Sequence, residues 1–179
     1  MVIHPILTLS ASLIVAVILF AAASHKLRAP LRFARQLEDY DLLPPAAIAT
    51  AARAVPLVEV LIAIALLIPA GRAWGGASAV LLLALYTAAI AINLRRGRRD
   101  IDCGCSGPGL ERPITGALVL RNTVLIALAL LAALPMSAAA LHGFGLFLIA
   151  AVVAAGLILY TAIEGLASNQ PRLKSLSGR

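Results

Sequence analysis

Charge is what this sequence has least of. Only 13% of its 179 residues are Asp, Glu, Lys or Arg, against 61% hydrophobic, and the mean hydropathy is +0.98. A soluble globular domain carries about a quarter charged residues, so that class is excluded. Aromatic residues are also scarce, at 4%, which leaves little for the Trp and Tyr belts that line many membrane interfaces. No phosphate-binding glycine loop, zinc signature or Ser-His-Asp arrangement is present, so a nucleotide enzyme or conventional hydrolase has no basis in the sequence. Acidic residues number 8 against 15 Lys and Arg. In a soluble chain that excess would suggest nucleic acid. Here the basic residues sit at the ends of apolar runs, where anionic headgroups and orientation rules account for them. The expected surroundings are membrane lipids, with no nucleic acid.

What remains is a set of long apolar runs. A span needs about 20 apolar residues, and the sequence predicts five: residues 3–23, 45–68, 73–94, 114–134 and 137–163. The expected fold is all-α, a polytopic membrane helix bundle with a four-helix core plus one further helix, forming a single integral membrane domain over 1–179. The first run competes with a cleaved signal peptide, because Ala21-Ala22-Ala23 resembles a small-residue cleavage site. Met1 to Pro5 holds no Lys or Arg, however, and the run is long, which favours an anchor. Between the first two spans, Leu31, Ala34 and Leu37 recur at helical spacing in a polar segment, predicting a short interfacial helix with Arg35 and Asp39 as a solvated i,i+4 pair. Pro56 removes a ladder hydrogen bond from the second span, and a kink near Arg53 is expected.

Counting Lys and Arg between the spans gives the orientation. Lys26, Arg28, Arg32 and Arg35 follow the first span; Arg95, Arg96, Arg98, Arg99 and Arg112 follow the third; Arg172, Lys174 and Arg179 follow the fifth. Between the second and third spans there is only Arg72, and the amino terminus and the fourth loop have none. The positive-inside rule therefore puts the amino terminus outside and the carboxyl terminus inside a bacterial inner membrane, with the loop 95–113 facing the cytoplasm.

That loop holds both cysteines, in Asp102-Cys103-Gly104-Cys105-Ser106-Gly107. A metal site needs about four ligands, and two thiols with a distant His25 do not supply them, so no metal is expected. Neighbouring Arg residues favour thiolate, and a Cys-Gly-Cys disulfide closes a small strained ring that is easily reduced. Cys103 and Cys105 are thus a candidate catalytic redox pair of a thiol-disulfide oxidoreductase, although unreactive thiols are the competing reading. With no second pair in the chain, any such cycle needs a quinone, a small thiol or a redox partner protein.

The other chemistry-bearing residues interrupt the spans. Arg53, Glu59, Arg121 and Asn122 are intramembrane polar positions, and a charge at the bilayer centre costs at least about 2.5 kcal/mol on insertion scales. They are expected to pair, face the bundle interior, or line a polar cavity opening toward the cysteine loop. At ~1.5 Å per residue, Arg53 lies roughly 12 Å and Arg121 roughly 10 Å into their spans. Arg53 and Glu59 fall on different helix faces, which makes Arg121 the favoured partner of Glu59. His25, Lys26 and Glu164 are candidates for the rim. A small-molecule or quinone-binding role for these polar positions is a further alternative.

Taken together, Lys26-Leu27, Pro30 and Phe33, Tyr40 with Leu42-Leu43-Pro44, Pro56 with Glu59, the stretch Arg99 to Gly107, and Leu120-Arg121-Asn122 resemble the methylamine utilisation protein MauE family, within a wider DoxX-like group of small helical membrane proteins. The resemblance runs from about Leu19 to Asn122. It implies a membrane protein involved in maturation, by disulfide handling, processing or export, of an exported client such as the methylamine dehydrogenase small subunit. Cys103 and Cys105 would be its redox pair, and Glu59 and Arg121 its intramembrane polar positions. A non-enzymatic membrane assembly partner is the alternative. The client folds outside the cytoplasm, whereas charge counting puts the thiols inside, where they are normally kept reduced. Either the loop folds back into the bundle, or reducing equivalents pass to a quinone or partner, or the cysteines exchange no disulfides.

Overall fold

A computed structural model describes residues 3–98, 101, 114–137 and 142–176, with side chains as far as 166. The order of elements is α1 (Pro5–Arg28), α2 (Pro30–Tyr40), α3 (Pro45–Leu67), α4 (Arg72–Arg95), α5 (Gly116–Ala133) and α6 (Gly143–Leu176). Five of these are long and apolar enough to cross a membrane, and α2 is the short polar helix. Proline starts α1, α2 and α3 at the first helical position, where a missing N–H costs nothing and the fixed φ suits the helix. Pro56 is buried inside α3, which runs unbroken through it.

The bundle is built around α1. About half of its span is buried, against almost none of α6, so α1 is the central helix and α6 the added one. Ala11, Val15, Ala16 and Leu19 of α1 meet Ile62, Ala63 and Leu66 of α3, Ala79 and Leu83 of α4, and Leu125, Ala129 and Ala132 of α5. Alanines at so many contacts let backbones approach closely, which is how helices associate when lipid is as apolar as the interface. The tightest approach is at Gly75-Gly76. A Cβ on Gly75 would lie 2.8 Å from the Leu66 amide nitrogen, and one on Gly76 2.8 Å from that of Ala133. These glycines seat α4 against both α3 and α5, where any side chain would push the backbones apart.

Two helix ends are closed by side chains from other helices. The last carbonyls of a helix have no partner within it, and Arg72, at the start of α4, donates to the carbonyls of Ala132 and Leu134 at the end of α5. Beside it the chain start is tied in: Ile3 donates to the Pro135 carbonyl and accepts from the Ser137 amide. Near the end of α4, the fully buried Asn93 donates to the Tyr40 carbonyl at the end of α2 (3.1 Å), and Arg96 donates to that of Asp41 (3.3 Å). These bonds lay α2 across the bundle.

α2 forms as its spacing predicts, with Ala34 and Leu37 half-buried, but its most buried residues are others. Leu31 is exposed, and the buried stripe is Phe33 and Gln36, flanked by the half-buried Leu37 and Tyr40. Spacings of three, four and seven residues from Phe33 make one helical stripe. The sequence reading followed the aliphatic residues, whereas burial followed the aromatic ones, which have more surface to remove from water.

Candidate functional site

A helix does not end where its apolar run ends, and α1 continues past Ala23 for more than a turn. That extension carries Lys26, expected at the rim, into the protein, where it is 4% exposed. Its ammonium donates to Oε1 of Glu59 on α3, which is itself 0% exposed. The Tyr86 hydroxyl of α4 donates to the same oxygen at 2.8 Å. The rings of Phe33 and Tyr86 lie 5.3 and 5.1 Å from the ammonium, close enough for their negative faces to attract it. A cation from α1, an anion from α3, a phenol from α4 and a ring from α2 therefore meet at one point. Lys26, expected only at the rim, is thus a cation hydrogen-bonded to Glu59. Depth counting stopped the first helix too early and so kept Lys26 out of reach.

Arg121 pairs across to α6, where Nη1 donates to Glu164 Oε1 at 3.1 Å. Its Nε and Nη2 also donate to Oδ1 of the neighbouring Asn122, at 3.3 and 3.1 Å. Asn122 is 1% exposed, and its Nδ2 is buried without a hydrogen-bond partner among the described residues. An unsatisfied buried donor is expensive in hydrocarbon, so this amide is suited to a polar occupant. A cavity of about 370 Å³ lies against it, bounded by His25, Glu59, Tyr86, Arg121, Asn122 and Glu164 together with apolar residues of α1, α5 and α6. Of the residues singled out in the sequence, His25, Glu59, Arg121, Asn122 and Glu164 thus share one cavity. Arg53 does not join them: it is exposed on α3.

On the other side of the Lys26–Glu59–Tyr86 cluster is a second cavity of about 320 Å³, apolar, formed by α2, the α2–α3 connection, α3 and α4. Lys26, Phe33, Gln36, Tyr40, Tyr86 and Ile90 are among its walls. Tyr86 borders both cavities, so the buried cluster forms the partition between an apolar space and a polar one. Ile90 is packed with the buried Ile101, Ile114 and Leu118, and Tyr40 lies against the same group. Ile101 and Ile114 stand at the two ends of the cysteine-bearing segment, so both of its feet are anchored beside the apolar cavity. Cys103 and Cys105 themselves lie outside the described residues.

The family model for methylamine utilisation protein MauE matches residues 4–135, a range that takes in all of α1 to α5. The chain belongs to the MauE family. The MauE protein of Paracoccus denitrificans is 36% identical over 99% of this chain and 97% of its own length. That of Methylophilus methylotrophus is 42% identical over 73% of this chain and 66% of its own, and that of Paracoccus versutus is 34% identical over 90% and 89%. No solved structure matches the chain. The MauE match contains Lys26, Glu59, Tyr86, Arg121 and Asn122, while Glu164 falls on α6 beyond it.

Tyr86 was not singled out in the sequence, Phe33 entered only through the family resemblance, and Arg72, at the other end of the bundle, was taken for a loop charge. Tyr86 sits in an apolar run where an aromatic gives no contrast, although its hydroxyl, unlike a leucine side chain, needs a partner when buried. Phe33 was hidden by the choice of the aliphatic stripe on α2. Arg72, counted as the one external loop charge, is 93% buried as the cap on α5, because its exposure is only 7%.

Proposed function

We propose that this MauE family protein serves methylamine utilisation as an inner-membrane accessory that handles thiols and disulfides during maturation of an exported protein, such as the methylamine dehydrogenase small subunit. Cys103 and Cys105 are the redox pair: a client thiolate attacks their disulfide, the client's second thiol resolves the mixed disulfide, and the client gains its disulfide while the pair is left as a dithiol. The basic loop residues lower the thiol pKa. The observation that carries this reading is the anchoring of both feet of the cysteine segment, Ile101 and Ile114, against residues that wall the apolar cavity. A buried acid–base cluster borders that cavity.

The test is to replace Cys103 and Cys105 with Ser, singly and together, in a strain that depends on this protein for growth on methylamine. Disulfide completion in the exported subunit is read by thiol-specific mass tagging, beside the membrane level of the variant. Each single replacement is expected to stop maturation with the protein level unchanged. Full maturation in the double variant would leave the cysteines without a role and favour a plain assembly partner.

A further inference from the structure

We propose that the apolar cavity between α2, α3 and α4 is a binding site for a membrane quinone, with the Lys26 ammonium as the donor to one of its carbonyl oxygens. At about 320 Å³ the space is at the small end of the range for ligand sites, and its walls are almost entirely apolar. The polar residues among its walls are Lys26, Gln36, Tyr40 and Tyr86. An ammonium has three N–H groups and no acceptor; Glu59 takes one, and no other acceptor is bonded to Lys26 among the described residues. The occupant should therefore offer an acceptor atom.

Its charge follows from the same cluster. Glu59 already neutralises Lys26, so an anionic headgroup would bring an unbalanced charge into a desolvated site, at a cost that a neutral carbonyl avoids. A bare acyl chain would fill the space and leave the ammonium protons unmet. The rings of Phe33 and Tyr86, 5.3 and 5.1 Å from the ammonium and both in the cavity wall, provide flat surfaces for a flat ligand. Neutral, planar, carbonyl-bearing and lipid-soluble together describe a quinone head group on an apolar tail.

Naming this site as the electron outlet rests on the thiol reading above; the binding does not. Under that reading a Cys103/Cys105 dithiol gives up two electrons and two protons as its S–S bond forms, and the quinone takes both on its carbonyl oxygens and leaves as quinol.

The purified full chain in quinone-free lipid nanodiscs can be exposed to a photoreactive azidobenzoquinone bearing a decyl tail, and the labelled peptides mapped by mass spectrometry. Saturable labelling of α2 and α4 around Phe33 and Tyr86 is expected. Decylbenzoquinone should compete with it at least about tenfold better than decylbenzene, which has no acceptor atom, the scale of one charge-assisted hydrogen bond. Val55→Phe, which puts a larger side chain into the cavity, should abolish the labelling; the pair Lys26→Met with Glu59→Gln should erase the advantage of the quinone over decylbenzene. Equal competition by decylbenzene, labelling elsewhere, no labelling, or labelling that survives Val55→Phe would each overturn the site. If labelling fails while the Cys→Ser variants stop maturation, the thiol reading stands with another acceptor. Labelling together with harmless Cys→Ser changes would leave a quinone site without thiol chemistry.

Discussion

Arg72 and Lys26 are both basic, both buried, and held in opposite halves of one bundle, yet their partners differ in kind. Arg72 donates to the backbone carbonyls of Ala132 and Leu134, acceptors that every helix end possesses and that must be satisfied whatever the protein does. Lys26 donates to a carboxylate that also receives a tyrosine hydroxyl, on the partition between two cavities. Backbone capping could have been supplied by water at the headgroup level. The buried Lys26–Glu59 pair has no such excuse, since desolvating two charges often outweighs their attraction, and apolar replacements of both can be neutral or stabilising. A bundle that only needed to stand would not require it. The difference separates a charge that completes the fold from one the fold carries.

The widest test of that distinction is Lys26→Met set against Lys26→Met with Glu59→Gln. The single change leaves Glu59 without its cation in an apolar interior and is expected to cost about 3–5 kcal/mol, read as a large drop in thermal melting in detergent and in membrane yield. The double change removes both charges at similar volume and should recover most of the melting temperature. Under the proposed function, maturation of the exported subunit should remain lost. Recovery of both stability and activity would reduce the pair to a packing device and erase the contrast with Arg72.

Next in size is Arg72→Met, which keeps most of the side-chain length and removes the donors. Loss of hydrogen bonds to two carbonyls at one helix end is expected to cost about 1–3 kcal/mol, seen as a lower melting temperature with maturation unchanged in molecules that fold. A maturation defect at normal stability would mean that the Arg72 end takes part in function and would overturn the division between the two halves.

Why the sequence showed some of this and hid the rest follows from what a linear pattern can carry. The five spans were legible because lipid demands unbroken apolar length; which of them stands outside the core was not, until burial set α6 apart. Glu59, Arg121, Asn122, His25, Lys26 and Glu164 stood out because ionisable or amide groups in or beside apolar runs are conspicuous. Their pairing was not legible. Depth along a helix is one coordinate, while contact also needs azimuth and the true helix end; α1 running on to Arg28 brings Lys26 to Glu59. Tyr86 lay unseen because, in a membrane run, a residue reads as apolar until its hydroxyl is found against Glu59. Arg72 was legible as a charge and misread as a loop charge, since nothing local announces that the end of α5 lies opposite.

The smallest expected effect belongs to a pair that looks alike in a list of contacts and differs in surroundings. Arg98 and Asp41 approach to 3.6 Å between Nη1 and Oδ2, at 40% and 77% exposure, just beyond the ends of α4 and α2. At that exposure the attraction is weakened by solvent and salt and opposed by the entropy of fixing a long side chain, so exposed pairs contribute about 0–1 kcal/mol. Arg98→Ala should therefore shift thermal melting far less than Arg72→Met, and added salt should shrink even that difference. Placement at the headgroup level is what could break the expectation, because water is thinner there than around a soluble protein. A shift equal to that of Arg72→Met, persisting in high salt, would show that this interface treats an open ion pair as a buried one. The line between structural and functional charges would then have to be drawn by partner alone, and no longer by burial.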